Sequence, residues 1–480
     1  MEKELLLCIV FLPFAGAFIL PLLGLMSKPL RNYTALSFVL ASTILSSLLI
    51  PDVIHGSTFT FAWQFPLGFN FVLQADMLAV FMAIVSSFIG CIIVLYSFGY
   101  ISHYENQGEY YLMVVLFIGS MMGIVYSANL IFLYLFWEVT AIACWRLIGF
   151  YREREIVIRA NKAFLVTVFG ALVMLIGFIG IYAQTGSFDM DTIRVASKNN
   201  PISNTLVLLI LFGIFSKSAT LPLHTWLPDA GVAPSPVTAL LHAAVLVKIG
   251  VYVYARLFID TFTIDPVWQT IVPVIAAISA LVAAGAAMIE TDMKRIIAYS
   301  TVSQIGFIFL GFAINNEMCI MGAMLYILMH GLAKGGLFLC AGIIEQNTNV
   351  KDITKLGGLI KTMPITAITF LFCAFSVMGI PPFGGFFSKY MVIAGAINGG
   401  QSAIAFVFIV GAFLTIIYLF RLFTLIFMGE MKTADAKEGS PVMITSIVIL
   451  AGLSVISGIL IYYPSEFVRL AVNQMLGMVQ

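Results

Sequence analysis

The stretch NTLVLLILFGIFSKSATLPLHTWLPD, residues 204–229, places a lysine inside an apolar run and then interrupts that run with prolines. Pro222 follows Lys217 by five residues and lacks the amide hydrogen that a continuous helix would bond to the carbonyl of Ser218. At membrane depth, irregular backbone persists only where protein or water surrounds it. The stretch therefore predicts a membrane-embedded helical bundle with a broken helix in its interior.

The composition of the whole chain is that of a membrane protein. Of its 480 residues, 61% are apolar and only 10% are charged, and the mean hydropathy is +1.05. The 24 basic and 23 acidic residues nearly balance and form no Lys/Arg-rich block, which excludes a nucleic-acid partner. The six cysteines form no CxxC pair, and nucleotide, flavin and haem motifs are absent from the sequence, so we predict no cofactor and no metal.

Apolar runs separated by charged or Gly/Pro-bearing joints predict fourteen transmembrane helices in an all-α protein, since one span needs about 20 residues. The run 386–428 is too long for one span, and Asn398-Gly399-Gly400 divides it, so that 386–398 joins the preceding run as a second broken helix. The first run lacks a small-residue cleavage site and is expected to remain as a helix. The predicted helices are 5–25, 33–50, 77–98, 111–126, 129–149, 161–184, 204–221, 234–258, 267–289, 295–313, 320–344, 364–398, 403–428 and 442–463.

These runs divide the chain into four predicted regions. Residues 1–110 hold helices 1–3, 111–258 hold helices 4–8, 259–428 hold helices 9–13, and 429–480 hold helix 14 and a tail. The first region also holds a hairpin near 59–74 outside the bilayer, predicted from the alternating aromatic residues Phe59, Phe61, Trp63 and Phe65 before the turn Pro66-Leu67-Gly68.

The two middle regions are predicted to be repeats. The sequence GIFSK, ending at Lys217, recurs as GFFSK, ending at Lys389, and the offset of 172 residues also aligns Lys162 with Lys334. Units of five helices each would have opposite orientations in the membrane, as the inverted repeats of many transporters do. Glu138 aligns with a leucine at this offset, so we expect the second unit to lack the acid.

The distribution of basic residues predicts the orientation in the membrane. With the amino terminus outside, the inside loops hold twelve Lys and Arg, Lys294 among them, and the outside segments hold five, Arg256 among them. The positive-inside rule then places both termini outside the cell membrane and the loop 430–439 in the cytoplasm.

Five charged residues lie deep within the apolar runs: Glu138, Lys217, Lys248, Lys334 and Lys389. An unpaired charge at that depth costs about 2.5–3.5 kcal/mol even on a lenient insertion scale. Four lysines cannot all pair with one acid, so the alternative of static buried ion pairs requires water or a change of protonation. We interpret these residues as parts of a hydrated ion path. Lys162 lies close enough to a helix end for its ammonium to reach the membrane surface instead.

Two histidines extend the polar set. His330 and Lys334 are four residues apart and share a helix face, and Glu345 lies eleven further on at almost the same azimuth. His242 is on the same predicted helix as Lys248 but about 120° round it, so a satisfied core histidine is an equally good interpretation there.

These residues lie in motifs that resemble the antiporter-like subunits shared by respiratory complex I, Mrp-type sodium/proton antiporters and membrane-bound hydrogenases. The resemblance covers about residues 75–430. The motifs that carry it are Phe136-Trp137-Glu138, KSATLPLHTWLPDA at 217–230, APSPVTALLH at 233–242, Asp292-Met293-Lys294-Arg295, His330 with Lys334, and GIPPFGGFFSK at 379–389.

The resemblance implies a role for each buried charge. Glu138 and Lys217 would be the charge pair of the first half-channel, Lys248 with His330 and Lys334 the connecting axis, and Lys389 the terminal proton carrier. Secondary positions on the path are His242, Lys162, His224 and Glu345. A carboxylate close to a lysine favours its charged form, so movement of Glu138 relative to Lys217 would load and unload that lysine.

The leading hypothesis is a proton-translocating or proton/sodium-exchanging subunit of a redox-driven membrane complex, with related antiporter-like subunits among its partners. The chain carries no redox site of its own by sequence, so the energy must come from a partner complex or from another ion gradient. Two alternatives remain: a subunit of a secondary Mrp-type cation/proton antiporter, and a proton-coupled bicarbonate or solute uptake module.

Overall fold

The computed structural model describes residues 2–65, 70–433 and 436–478. The predicted turn at Pro66-Leu67-Gly68 and positions 434–435 of the loop 430–439 lie outside these residues. The described chain is built from helices and one two-stranded sheet, which confirms the prediction of an all-α integral membrane protein apart from a small hairpin.

The amino-terminal part contains four helices and the hairpin. The helices are α1 (Glu2–Gly16), α2 (Leu20–Met26), α3 (Lys28–Leu48) and α4 (Ile50–Ile54). Strand β1 (Phe59–Gln64) pairs antiparallel with β2 (Asn70–Ala75), with Phe59 opposite Ala75 and Gln64 opposite Asn70. The strands lie where the alternating aromatic residues predicted a hairpin, and its position outside the bilayer stays a prediction.

Seventeen further helices follow β2 in the described residues. They are α5 (Met77–Tyr100), α6 (Gln107–Tyr126), α7 (Leu130–Ile148), α8 (Arg154–Thr185), α9 (Met190–Asn199), α10 (Asn204–Lys217), α11 (Trp226–Asp229), α12 (Ser235–Ala239), α13 (Leu246–Tyr254), α14 (Trp268–Ile289), α15 (Met293–Ile314), α16 (Glu317–Thr348), α17 (Pro364–Met378), α18 (Gly384–Asn398), α19 (Ser402–Phe427), α20 (Pro441–Ile459) and α21 (Tyr462–Met475). Two π-helical segments, Leu240–Ala244 and Ala255–Thr261, flank α13.

Twelve helical segments in the described chain are long and apolar enough to cross a membrane, and α10 and α17 are shorter apolar helices. The total of fourteen spans therefore stays a prediction. The two predicted breaks are present: α10 ends at Lys217 rather than at residue 221, and α17 is separated from α18 at Gly379–Phe383. Helices α9 and α21 were not predicted, because each is short and only partly apolar.

Polar side chains fix several helix starts. The side chains of Asp76, Asn129, Asp292 and Asn316 accept hydrogen bonds from amides in the first turns of α5, α7, α15 and α16. Such caps satisfy amides that have no partner within the helix. At the end of α17, Gly379 has a φ of 82°, the left-handed conformation that glycine adopts without strain and that stops a helix.

Matching main-chain contacts recur in the two middle parts of the chain. Asn129 forms an isolated antiparallel bridge with Asp189, and Asp292 forms one with Asp352. Each residue of the second pair lies 163 positions after its counterpart, and α8 and α16, which lie between the bridged residues, both have 32 residues. The structural correspondence therefore runs at an offset of 163.

The predicted offset of 172 is wrong for these helices. At an offset of 163, Lys162 corresponds to Leu325, and Lys334 corresponds to Ala171. The short motif GxFSK lies before the break in the first segment, at the end of α10, and after the break in the second, at the start of α18. An ungapped comparison through that motif therefore misaligned the helices before it. The opposite orientation of the two units and the four region boundaries stay predictions.

Burial differs sharply between the centre and the periphery of the bundle. The segment Ser235–Thr261 is buried on all sides and α15 and α16 nearly so, whereas α8, α19 and α20 expose apolar side chains along one face. The central helices carry most of the buried charges. Their surroundings are therefore protein rather than lipid, which is the setting that buried charge requires.

Candidate functional site

Four lysines are buried in the centre of the bundle, and each donates a hydrogen bond to a main-chain carbonyl. The contacts are Lys217 to Trp137 at 3.1 Å, Lys334 to Ile297 at 3.0 Å, Lys389 to Val377 at 2.7 Å, and Lys248 to Ala243. Among the described residues, the ion pairs of the chain include none of these four. The sequence argument that four lysines outnumber the acid agrees with this arrangement.

Irregular backbone supplies two of these carbonyls. Val377 lies one residue before the end of α17, where carbonyls have no partner further along the helix. Ala243 lies in the π-helical segment before α13, whose wider turn changes the usual hydrogen-bond pattern. The helix breaks and the π segment thus give buried ammonium groups an acceptor that a regular helix would withhold.

Among the described residues, no hydrogen bond or ion pair joins the Glu138 carboxylate to the Lys217 ammonium, and the charge pair that the resemblance implied stays a prediction. Lys217 reaches α7 one residue earlier, at the carbonyl of Trp137, and its ammonium lies 5.2 Å from the centroid of the Trp137 ring. The Glu138 side chain is half-buried, and one of its carboxylate oxygens is buried without a hydrogen-bond partner in the described chain.

Lys248 lies against α16 beside His330. A Cβ atom on Gly331 would stand 2.5 Å from the Lys248 nitrogen, so the absence of a side chain there makes room for the ammonium. The π segment before α13 also invalidates the predicted azimuth between His242 and Lys248, which assumed a regular helix. Helix α13 packs against α10, where a Cβ on Gly250 would overlap the Ser218 hydroxyl.

Both central histidines are fully buried with no hydrogen-bond partner on either ring nitrogen in the described residues. His242 packs against Phe338 with ring centroids 4.4 Å apart, and His330 lies edge-on to Tyr326 at 5.8 Å. Buried polar groups normally have a partner, because leaving one unsatisfied costs about 1–3 kcal/mol. Bound water would supply the missing partners of these rings.

Other unpartnered polar atoms lie at the breaks and on the central helices. The hydroxyls of Ser218, Thr220, Ser303 and Ser376 are buried without a partner in the part of the chain that is described. The first two follow Lys217 directly, and Ser376 lies next to Val377, which accepts from Lys389. Waters at these positions would satisfy the hydroxyls and lie close to the lysines.

The buried polar residues Lys217, Lys248, His330 and Lys334 form a series across the bundle, which we call the central row. Tyr326 connects this row to Lys389. The Lys389 nitrogen lies 5.7 Å from the centroid of the Tyr326 ring and 4.7 Å from that of Phe307. Tyr326 also contacts His330, so one aromatic ring lies beside both groups. Polar groups thus cross the bundle from α7 through α10, α13 and α16 to α18.

Lys162 and His224 lie outside this central row. Lys162 is 40% exposed and pairs with Asp229 at 2.7 Å, and Asp229 also pairs with Arg295 at 2.7 Å. Burial raises the pKa of the Asp229 carboxyl, but Lys162 and Arg295 outweigh it and hold that pKa below its usual value. His224 is half-buried in the break between α10 and α11, with Nδ1 unpartnered among described groups.

Glu345, which was predicted on the same helix face as His330 and Lys334, is not an isolated acid. It pairs with buried Lys294 at 2.8 Å and with Lys351 at 3.2 Å, and the hydroxyl of Ser235 donates to it at 3.4 Å. Eleven residues separate it from Lys334, which is about 16 Å along a helix. Glu345 therefore belongs to an ion cluster at the end of the bundle that also holds Arg295.

Some residues that sequence reasoning assigned to loops are buried. Lys294 was counted as an inside loop residue and Arg256 as an outside one, but they are 2% and 4% exposed. Arg256 pairs with Asp76, the residue that caps α5. An acid directly before an apolar run was the available signal for this pair, but nothing in the sequence pattern linked it to an arginine 180 positions away.

Among the described residues, no group of three or more His, Cys, Asp or Glu side chains is placed to hold a metal ion. The ionisable groups of the centre are lysines, histidines and one carboxylate. All three types exchange protons and can pass them through intervening water.

Comparisons with known proteins match this architecture. Residues 127–415 match the family described as NADH:quinone oxidoreductase/Mrp antiporter, TM, and residues 63–111 match that described as NADH-ubiquinone oxidoreductase (complex I), chain 5 N-terminus. The Na(+)/H(+) antiporter subunit A1 of Staphylococcus aureus is 35% identical over an alignment of 484 positions, which covers 94% of this chain. The chain spans 60% of the length of that relative.

Two solved structures have the same fold. A chain of the Mrp complex from Dietzia sp. DQ12-45-1b superposes with a TM-score of 0.89 at 22% identity, covering 100% of this chain and 98% of that one. A chain of the membrane-bound sulfane sulfur reductase, an archaeal respiratory membrane complex, superposes with a TM-score of 0.90 at 24% identity, covering 99% and 98%. At these sequence identities, the comparison shows a shared fold and nothing further.

Proposed function

Because the chain belongs to the NADH:quinone oxidoreductase/Mrp antiporter family, we propose that it translocates protons across a membrane as one subunit of a larger complex. The observation that carries this proposal is the row of four buried lysines, each bonded to a carbonyl instead of a carboxylate. A lysine held in this way can lose its proton without leaving an acid unpaired beside it.

The proposed path starts at Glu138 and Lys217 on the α7 side of the bundle. Lys217 bonds to the carbonyl of Trp137, the residue before Glu138 on α7, so a movement of that helix would change the distance between the carboxylate and the ammonium. Approach of the carboxylate favours a charged lysine, and its withdrawal favours release of the proton. The unpartnered hydroxyls of Ser218 and Thr220 support a water-filled space next to this step.

Lys248, His330 and Lys334 form the proposed connection, and Lys389 is the proposed terminal carrier. The close approach of Lys248 to α16 at Gly331 supports exchange between Lys248 and His330. Tyr326 contacts both His330 and Lys389 and therefore lies at the last step of the proposed path, between these two residues. His242 is a secondary position, while Lys162, Glu345 and His224 serve the surface end of the path.

Two kinds of complex are candidates for the source of the energy. We propose a redox-driven complex as the partner of this chain, and the likeness to a chain of a respiratory membrane complex is in keeping with it. The second candidate is a cation/proton antiporter without redox chemistry, which the relative named as a Na(+)/H(+) antiporter subunit favours. In either case we propose a location in the cell membrane, with both termini outside.

Purification of the native complex through a tag on this chain tests these proposals. Its other subunits are identified, and the complex is reconstituted into liposomes that report internal pH. Pumping on addition of an electron donor supports the redox-driven complex, whereas pH change driven only by an imposed sodium gradient supports the antiporter. Absence of proton movement under both conditions, in a complex of complete subunit composition, would contradict the proposed function.

A further inference from the structure

A hydrogen-bonded network joins α15, α16 and α19 beside the terminal lysine. The hydroxyl of Tyr326 donates to the side-chain oxygen of Gln304 at 2.6 Å, and the Gln304 amide nitrogen donates to Thr415 at 3.1 Å and to Tyr418 at 3.4 Å. Tyr418 in turn donates to Ser300 at 2.8 Å. All five side chains have a relative exposure of 0%.

The network occupies the interval between Lys389 and the ion cluster at the end of the bundle. At one end of the network, Tyr326 lies beside the Lys389 ammonium. At the other end, Ser300 is five residues from Arg295, about 7.5 Å along a helix. One turn along α19 from Tyr418, Arg421 donates to the carbonyls of Met288 and Glu290 at 3.0 Å each. The network is therefore the polar route by which a proton from that end would reach Lys389.

The chemistry of Gln304 interrupts this route. Hydroxyl groups pass a proton by accepting one on the oxygen while releasing another, but a carboxamide neither takes up nor releases a proton readily. Gln304 accepts from Tyr326 on its oxygen and donates from its nitrogen, so a proton arriving at Tyr418 cannot continue to Tyr326 through it. The hydrogen bonds are complete, and no unpartnered atom in the network calls for a bridging water.

The central row differs in this respect. There, His242, His330 and Ser303 are buried without hydrogen-bond partners among the described residues. Ser303 and Gln304 are adjacent on α15, so polar atoms without partners and polar atoms with complete hydrogen bonds meet at this level. The contrast separates a region that needs water from one whose hydrogen bonds are complete without it.

Resting on the proposed proton translocation, we infer that Gln304 and its partners form an insulating barrier that prevents protons from passing between Lys389 and the Glu290/Arg295 end of the bundle. Gln304 is a positioning residue in this scheme, because it holds Tyr326 and Tyr418 without contacting the ion. The barrier obliges Lys389 to exchange protons with the central row and with the opposite side only.

The test compares Gln304→Glu with Gln304→Met in the reconstituted complex, after transport by the parent complex has been established. A carboxyl at position 304 supplies the missing exchangeable proton, so Gln304→Glu is expected to raise passive proton leak about tenfold, equivalent to ~1.4 kcal/mol off the barrier. Gln304→Met carries no exchangeable proton and is expected to remain as tight as the parent and to keep transporting. The leak is measured as decay of an imposed pH gradient with the membrane potential clamped.

Gln401→Glu is the matched control, since it makes the same change at the amino-terminal cap of α19, outside the network. Thr415→Asp places a carboxyl in the network from a different helix, so that a folding failure of Gln304→Glu does not end the test; it too should leak. A parental leak rate in an assembled Gln304→Glu or Thr415→Asp complex overturns the barrier. Loss of transport in assembled Gln304→Met also overturns it and identifies the network as a conducting route. Failure of the parent to transport protons would contradict the proposed function instead.

Discussion

The ammonium of Lys389 on α18 donates a 2.7 Å hydrogen bond to the carbonyl of Val377 near the end of α17. One half of the broken helix therefore supplies a cation that bonds to a free carbonyl at the end of the other half. The carboxyl end of a helix carries partial negative charge from its free carbonyls, and a cation there is stabilised by about 0.3–1 kcal/mol at exposed sites and by up to ~2 kcal/mol when partly buried. This stabilisation is weaker than that of a buried ion pair. Lys389 is therefore placed to hold a proton and also to release it.

Replacement of Lys389 by arginine is expected to lower proton transport by at least about tenfold. Arginine retains the charge and can still bond to Val377, but it does not deprotonate in a protein, so it would leave a fixed charge in the path. The measurement is the rate of proton transport by the reconstituted complex, normalised to the amount of assembled complex. Lys355→Arg, at an exposed position, is the control. A parental rate for Lys389→Arg would make Lys389 a static counter-charge.

Replacement of Glu138 by glutamine is expected to preserve assembly and to remove most of the transport. The amide retains the shape of the side chain but cannot attract the Lys217 ammonium when α7 moves. Glu317→Gln, at an exposed position in the first turn of α16, provides the comparison. Should Glu138→Gln transport at the parental rate, the unpartnered carboxylate would have only a structural role.

The sequence was sufficient to predict most helices and both breaks. Apolar runs bounded by charges have few stable solutions in a membrane other than helices, and a proline within a helix removes one of its main-chain hydrogen bonds. Lys217 and Lys389 were identified because lysine is costly at that depth, whatever its neighbours. These inferences depend on local composition, which the sequence displays directly.

Contacts between distant segments were not predictable in the same way. That Lys217 bonds to the Trp137 carbonyl depends on how α7 and α10 pack, and the burial of Arg256 depends on an aspartate 180 positions away. The Gln304 network is a further case, because its neutral side chains are scattered over three helices. Pattern analysis weighs charged residues in apolar runs and gives no comparable weight to a glutamine or a tyrosine.

Substitution of Gly331 by alanine is expected to lower transport several-fold without loss of assembly. The new Cβ would stand 2.5 Å from the Lys248 nitrogen, which is too close, so the ammonium must move away from α16. Gly285→Ala is a matched control, since that helical glycine has open space around its Cβ position and alanine favours a helix by about 1 kcal/mol. Equal transport by the two variants would show that Lys248 does not act from its observed position.

The proposed orientation predicts which loops a membrane-impermeant thiol reagent reaches. In a chain without its native cysteines, Glu430→Cys is expected to remain unlabelled in intact cells and to react in everted vesicles, because the loop 430–439 is assigned to the cytoplasm. Tyr462→Cys, at the exposed start of α21, should show the opposite pattern. Labelling of Glu430→Cys from outside the cell would reverse the topology.

The ion pair between Asp76 and Arg256 predicts a pH-dependent contribution to stability. Burial raises the pKa of the Asp76 carboxyl, but Arg256 outweighs this effect and holds the pKa below its usual value. A depressed carboxyl pKa stabilises the folded state fully above the unfolded-state value of about 3.9, and the stabilisation is lost as the pH falls through the folded-state pKa.

Asp76→Asn removes the negative charge but keeps the helix cap, because asparagine caps a helix as well as aspartate does. We expect this variant to lose about 3 kcal/mol at pH 7, within the range for breaking a buried pair, with the difference from the parent shrinking below pH ~3.9. Asp189→Asn makes the same change at the cap of α9, where the side chain accepts only amide hydrogen bonds, and should cost little. Thermal unfolding of the purified complex at both pH values measures the difference. Equal losses for the two variants at pH 7, or a loss at Asp76 that persists in acid, would show that Arg256 does not stabilise the fold through this carboxylate.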